Sequence, residues 1–237
     1  MLAVVILWWV WSTQVPDYVL PGPVAVAHRM LGALVDPAFM INAALSVARI
    51  FTSLAIAMLL GTALALTPFY WPASASVINN AITPFFNSFP SLGWVLLATI
   101  WFNVSEFTVT FIQVVILLPF CLLNVAEGVR VLDADLLEMG RSFTSRQRRV
   151  FLRIILPLLV PYLIAALRIS YGVAWKISLL AELFGARNGV GYLMLQAQVV
   201  GDSVLVLSTC LFIVIFFAIG DGLIIRPLAR RFGAARP

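Results

Sequence analysis

Charge is what this sequence has least of. Only 11% of its 237 residues are Asp, Glu, Lys or Arg, against about 25% in soluble domains, while 62% are hydrophobic and the mean hydropathy is +1.05. A soluble enzyme is excluded, and the chain reads as an all-α integral membrane protein. Histidine occurs once, at His28, which rules out a multi-histidine metal site. The single lysine, Lys176, follows Trp175 inside an apolar run, so there is no G-x-x-x-x-G-K-[ST] loop to cradle ATP phosphates. No Ser, His and Asp set is available for nucleophilic catalysis, and Ser178 beside Lys176 is poor ground for an intramembrane hydrolase. The two cysteines, Cys121 and Cys210, lie within apolar runs; no disulfide framework is indicated and packing is their expected role.

What remains is apolar sequence interrupted at intervals. At about 20 residues per crossing of a hydrocarbon core about 30 Å thick, the length holds roughly six spans and leaves no room for a soluble catalytic domain, so residues 1–237 are expected to form one transmembrane domain. Met1–Trp11 reads as a short first span. Pro16, Pro21 and Pro23 break the helix, and Val24–Val35 has the pattern of an amphipathic helix at the outer interface, with His28 and Arg29 solvated there. Asn42–Leu66 is the second span, with Arg49 near enough to its end to snorkel. Thr67–Pro84 carries no charge and is placed inside because spans must alternate. Phe85–Phe102 is a third span broken by Pro90 and Gly93, Asn103–Glu106 a tight outer turn, and Phe107–Ala126 a fourth span. Leu158–Leu183 and Ser203–Ile225 complete the six, separated by an outer loop, Phe184–Asp202, in which Gly189-Val190-Gly191 reads as a turn.

The net charge of +5 follows topology. Ten of the 15 basic residues fall either in the interval Glu127–Pro157 or in the tail at Arg226, Arg230, Arg231 and Arg236. The positive-inside rule puts both in the cytoplasm, and six crossings put both termini there. A nucleic-acid footprint needs a soluble basic face, which is lacking.

Glu127–Pro157 is the one long charged interval. Asp135 and Glu138 have capping-box spacing, after which Leu136, Met139, Gly140 and Phe143 share one helical face, with Leu137 and Arg141 between them. Thr144 and Gln147 repeat the spacing, which predicts a second short helix from Thr144 through Phe151 and Ile154 toward Pro157. Two such helices make a knob able to enter a groove on a cytoplasmic partner. Here the chain resembles the membrane subunits of bacterial ABC importers, whose cytoplasmic loop has the form E-A-A, three residues, G, nine residues, I-x-L-P. The aligned residues are Glu138-Met139-Gly140, Thr144 and Ile154-Ile155-Leu156-Pro157. The spacing is met; Thr144 stands where the family has glycine and is expected to cap the second helix. LPGPVAV at 20–26, FPSLGWVLLATIWFN at 89–103, LLEMGRSF at 136–143, ALRISYGVAWK at 166–176 and AELFGARNGVGYLM at 181–194 look like the nitrate, sulfonate and taurine branch.

That resemblance implies a type I ABC importer fold in a bacterial inner membrane. Its partners would be two cytoplasmic ATP-binding subunits that hold the ATP and magnesium, a second identical or related permease subunit, and a periplasmic or lipid-anchored substrate-binding protein. The coupling residues would be Asp135, Leu136, Leu137, Glu138, Met139, Gly140, Arg141, Phe143, Thr144 and Pro157. Candidate path residues are Pro90 and Trp94 in the broken span and Arg168, Lys176 and Glu182 in the fifth. Arg168 and Lys176 lie eight residues apart, about 80° around a helix, and one face bearing both would suit an anion such as nitrate, bicarbonate or a sulfonate. The alternative is that Arg168 snorkels inward while Lys176 snorkels outward or pairs with Glu182 of either subunit. Asp221 is expected to pair with a loop arginine. Two other readings stay open: a membrane carrier or scaffold without an ATPase, and a permease of this family for a non-anionic solute such as a thiamine precursor.

Overall fold

A computed structural model of the chain describes residues 2–132, 142 and 146–232. Every regular element among them is helical. Four helical stretches are long and apolar enough to cross a membrane: Pro37–Tyr70, Glu106–Arg130, Gln147–Gly185 and Ser203–Arg231. A bent pair, Pro72–Ser88 and Ser91–Phe102, adds a fifth if counted as one broken span. The expected six spans are thus four or five. Helix α1 (Leu2–Ser12), expected to be the first, is about 16 Å long at 1.5 Å per residue, roughly half the hydrocarbon thickness.

Helix α2 (Pro23–Val35) starts with proline at a position whose N–H has no partner anyway and stops before Pro37. It lies against α9 (Ser203–Gly220), where Ser208 donates to the Val26 carbonyl at 3.1 Å. The heart of the molecule is α3 (Pro37–Tyr70), α6 (Glu106–Arg130) and α7 (Leu156–Gly185). In lipid, apolar contact alone offers little over contact with acyl chains, so helices associate where small residues let backbones approach. Gly61 of α3 does this: a Cβ there would sit 2.6 Å from Cβ of Cys121 on α6. Around it Ile50, Leu54 and Ala57 pack on Leu117, Cys121, Tyr171, Ala174 and Trp175. Cys121 therefore packs as expected, whereas Cys210 is exposed.

The uncharged interval Thr67–Pro84 is not a loop. Helix α3 continues to Tyr70, and helical turns lead into α4 (Thr83–Ser88). The break falls where sequence placed it, at Phe89–Pro90, before α5 (Ser91–Phe102), and the two arms meet at 86°. The turn Asn103–Glu106 is tight, with Asn103 at φ 56° and the Ser105 hydroxyl capping α6. The interval Phe184–Asp202, expected as a loop, contains α8 (Val190–Val199).

Among the described residues three π-turns interrupt the helices, at Ile78–Ile82, Phe151–Ile155 and Asp221–Ile225. Each is followed by one residue and then proline: Thr83-Pro84, Leu156-Pro157 and Arg226-Pro227. A helical proline has no N–H to donate, and its ring collides with the carbonyl four residues back. Widening the preceding turn into i→i+5 bonding moves that carbonyl aside. This explains a departure from expectation: the helix entering Pro157 does not end there. It begins at Gln147, after an extended Arg146 (φ −81°, ψ 98°), and runs through the π-turn to Gly185. Asp221 likewise pairs with Arg226 of its own helical run, at 2.7 Å, and not with a loop arginine. The last helix, α10, is Arg226–Phe232.

Candidate functional site

Two charged constellations stand out, and the first was not anticipated. Ser46, Arg49 and Ser53 fall on one face of α3 at helical spacing. That face meets the start of α6 and the end of α7, and Arg49, expected to snorkel, is only 5% exposed. Its guanidinium makes five hydrogen bonds, as many as it has N–H groups. Nε and Nη2 donate to the two Glu106 oxygens at 2.7 and 2.5 Å. Nη1 donates to Glu182 Oε1 at 2.9 Å and to the Asn188 carbonyl at 3.0 Å, and Nη2 also donates to Asn188 Oδ1. The other Glu182 oxygen accepts from Ser46 Oγ at 2.8 Å and from the Gly191 N–H at 2.9 Å.

The turn before α8 completes this knot. Gly189 and Val190 donate their N–H groups to Asn42 Oδ1 (2.6 Å) and Ser46 Oγ (2.9 Å), which satisfies amides that a helix start leaves open. Gly189 has φ 105°, and a Cβ there would lie 2.6 Å from Glu182 Cδ, so the turn admits only glycine. Chemically the knot is closed: its donors and acceptors serve one another, and it clamps α3, α6, α7 and α8 together. Glu182, at 1% exposed, thus belongs to the clamp, and within the chain it pairs with Arg49 and not with Lys176.

The second constellation is an open groove along α7 of about 850 Å³. Pro161, Ile164, Ala165, Ile169, Gly172 and Val173 form its apolar floor, with Phe217 and Ala229 opposite; Arg168 and Lys176 are its charged members. Both side chains are exposed, and neither has an ion pair among the described residues. Beyond Lys176 an apolar slot of about 290 Å³ continues between α7 and α9, past Trp175, Leu179 and the exposed Cys210. Two unneutralised cations on an apolar wall attract anions. Of the five path residues read from sequence, Arg168 and Lys176 meet here. Trp94 does not line the groove: it is 8% exposed, stacked on Phe86 and tilted against Phe89 at 4.6 Å. Its register follows from Pro90, which caps α5 and turns Trp94 back onto α4.

Residues 57–231 match the family described as binding-protein-dependent transport system inner membrane component. The chain belongs to that family. A probable ABC transporter permease protein of Brucella melitensis is 31% identical over 82% of this chain and 78% of its own length. The taurine transport system permease protein of Escherichia coli is 26% identical over 95% of this chain and 84% of its own, and the nitrate import permease protein of Synechococcus elongatus is 25% identical over 82% and 73%. The protein is thus a transport permease of a multi-pass inner-membrane type, and the resemblance read from its motifs holds.

Of the permease's charged interval, the expected coupling residues Asp135, Leu136, Leu137, Glu138, Met139, Gly140, Arg141, Phe143 and Thr144 lie outside the described residues. Pro157 is described, two residues past a π-turn and early in α7. Around it Leu66, Val150, Ile155 and Leu159 form a small core that joins the ends of α3 and α6 to the start of α7. Arg148, Arg149 and Arg153 point outward from this end. The permease therefore has a knot end and an arginine end, with the cationic groove between them.

Proposed function

We propose that the permease is the membrane subunit of an ATP-driven importer and that the groove bearing Arg168 and Lys176 is one wall of the path for a small anionic solute. The observation that carries this reading is the pair of cations that have no ion-pair partner among the described residues, on an otherwise apolar face. Relatives named for aliphatic sulfonates and nitrate agree with such a solute, and taurine, for which another is named, presents a sulfonate group. A second permease subunit, identical or related, closes the open side of the groove. Residues 1–237 act as one transmembrane domain, with the arginine end and the Arg-rich C-terminal tail in the cytoplasm, as the positive-inside rule favours.

Two ATP-binding subunits engage the interval Glu127–Pro157, since this chain has no phosphate loop of its own. Their closure on ATP biases the membrane part between two arrangements in which the groove opens to opposite sides. A substrate-binding protein, free in the periplasm or lipid-anchored, delivers the solute at the knot end. The path takes Arg168 and Lys176 from the sequence reading; Pro90 acts as the joint between α4 and α5.

The test is uptake into cells or vesicles carrying the complete transporter, using labelled taurine, a short sulfonate and nitrate in turn. Arg168→Ala with Lys176→Ala is expected to reduce uptake of the transported anion at least tenfold while the ATP-binding subunit still copurifies. Uptake unchanged in that variant contradicts the groove assignment. Copurification of no ATP-binding subunit, with uptake following an ion gradient, replaces the importer by a carrier. Uptake only of a non-anionic compound, such as a thiamine precursor, replaces the anion. Glu138→Lys or Phe143→Asp is expected to leave the permease in the membrane but uncouple uptake from hydrolysis.

A further inference from the structure

Asp221 and Arg226 are joined twice. The Arg226 N–H donates to the Asp221 carbonyl, which closes the π-turn Asp221–Ile225, and Arg226 Nε donates to Asp221 Oδ2 at 2.7 Å. In an α-helix, residues five apart stand about 140° apart around the axis. The side chains of such a pair point away from each other, so this ion pair depends on the π-turn. The acid is the anchored partner: its side chain is 13% exposed, against 62% for Arg226. Ile225, 2% exposed in the central core, anchors the other side of the same turn. Of the three π-turns this one alone is bridged by an ion pair among the described residues.

Pro227 makes the turn consequential. A helix accommodates such a proline by widening the preceding turn or by kinking. Widening keeps α10 packed along α7 and puts Ala229 in the groove wall. An uninterrupted α register turns every later residue by about 100°, and a kink carries α10 off α7; either removes Ala229 from the wall. We propose that Asp221 is a positioning residue, whose ion pair with Arg226 selects the π-turn and so holds α10 as one wall of the groove. Its meaning for transport rests on the groove being the solute path; its geometry does not.

The experiment measures the wall itself. The permease, with Cys210→Ser to remove the exposed thiol, is spin-labelled at Ala165→Cys and Ala229→Cys, two groove residues, and the label distance is measured by double electron–electron resonance in lipid nanodiscs. The parent protein is expected to give one narrow distance. Asp221→Asn and Arg226→Gln are each expected to add a longer component holding at least half of the molecules. Reversing the pair, Asp221→Arg together with Arg226→Asp, is expected to restore the single distance, which a general loss of folding does not do. An unchanged distance in both single variants, or a reversed pair that behaves like them, overturns the proposal. Uptake is read on the same variants: a displaced wall with full uptake contradicts the groove as path and leaves the positioning role intact, whereas an unmoved wall contradicts the positioning role alone.

Discussion

The two ends of this permease are built on different principles. At the knot end a single guanidinium, 5% exposed, binds Glu106, Glu182 and Asn188, and the backbone around Gly189 is fixed by its φ of 105°. Away from the knot each π-turn among the described residues precedes a proline, and at the arginine end Arg148, Arg149 and Arg153 are exposed. Moving helices at the knot end means separating buried charges, which is costly. Moving them at a π-turn means shifting a turn already held by fewer regular bonds. The contrast marks where helix movement costs most and where it costs least: the knot is the rigid end, and the π-turns, the one bridged by Asp221 and Arg226 apart, are where a helix gives.

Removing the knot's cation has the largest expected effect. Arg49→Ala leaves the Glu182 carboxylate, 1% exposed, without its cation, and is expected to destabilise by about 3–5 kcal/mol. A thermal unfolding midpoint in nanodiscs within a degree of the parent would break the comparison. Gly189→Ala forces a Cβ into the left-handed region against Glu182 and is expected to cost about 1–3 kcal/mol by the same measurement. Glu106→Gln removes a carboxylate that is 62% exposed yet bidentate on Arg49, and about 1 kcal/mol is expected. At the other end Arg130→Gln breaks a 3.8 Å pair with Glu127 whose partners are 66% and 63% exposed; less than about 0.5 kcal/mol is expected. A larger effect for Arg130→Gln than for Glu106→Gln inverts the ranking and with it the contrast.

The parts legible in the sequence were those written locally. The spans Phe107–Ala126, Leu158–Leu183 and Ser203–Ile225 all lie inside observed helices, because long apolar runs need no tertiary information. The turn at Asn103–Glu106 and the break at Pro90 were equally local. The family resemblance came from spacing over most of the chain. The knot escaped because its members are far apart in sequence, with Glu182 lying 133 residues beyond Arg49. A signal was present all the same: Arg49 and Glu182 are opposite charges within two apolar helices, and charges at depth seek each other. Reading each alone sent Arg49 to the surface and Glu182 to the path. The prolines misled in a simpler way. Pro157 read as a stop, whereas INNAI-Thr83-Pro84, FLRII-Leu156-Pro157 and DGLII-Arg226-Pro227 show helices passing a proline by widening the turn before it. Only backbone hydrogen bonds distinguish the two.

Hydrogen exchange of the native permease in nanodiscs tests the contrast most directly. The knot amides of Gly189, Val190 and Gly191, which donate to Asn42, Ser46 and Glu182, are expected to exchange at least tenfold more slowly than Thr83 and Leu156, whose amides close the π-turns at Ile78–Ile82 and Phe151–Ile155. Equal rates, or faster exchange at the knot, would contradict a rigid knot set against π-turns that give.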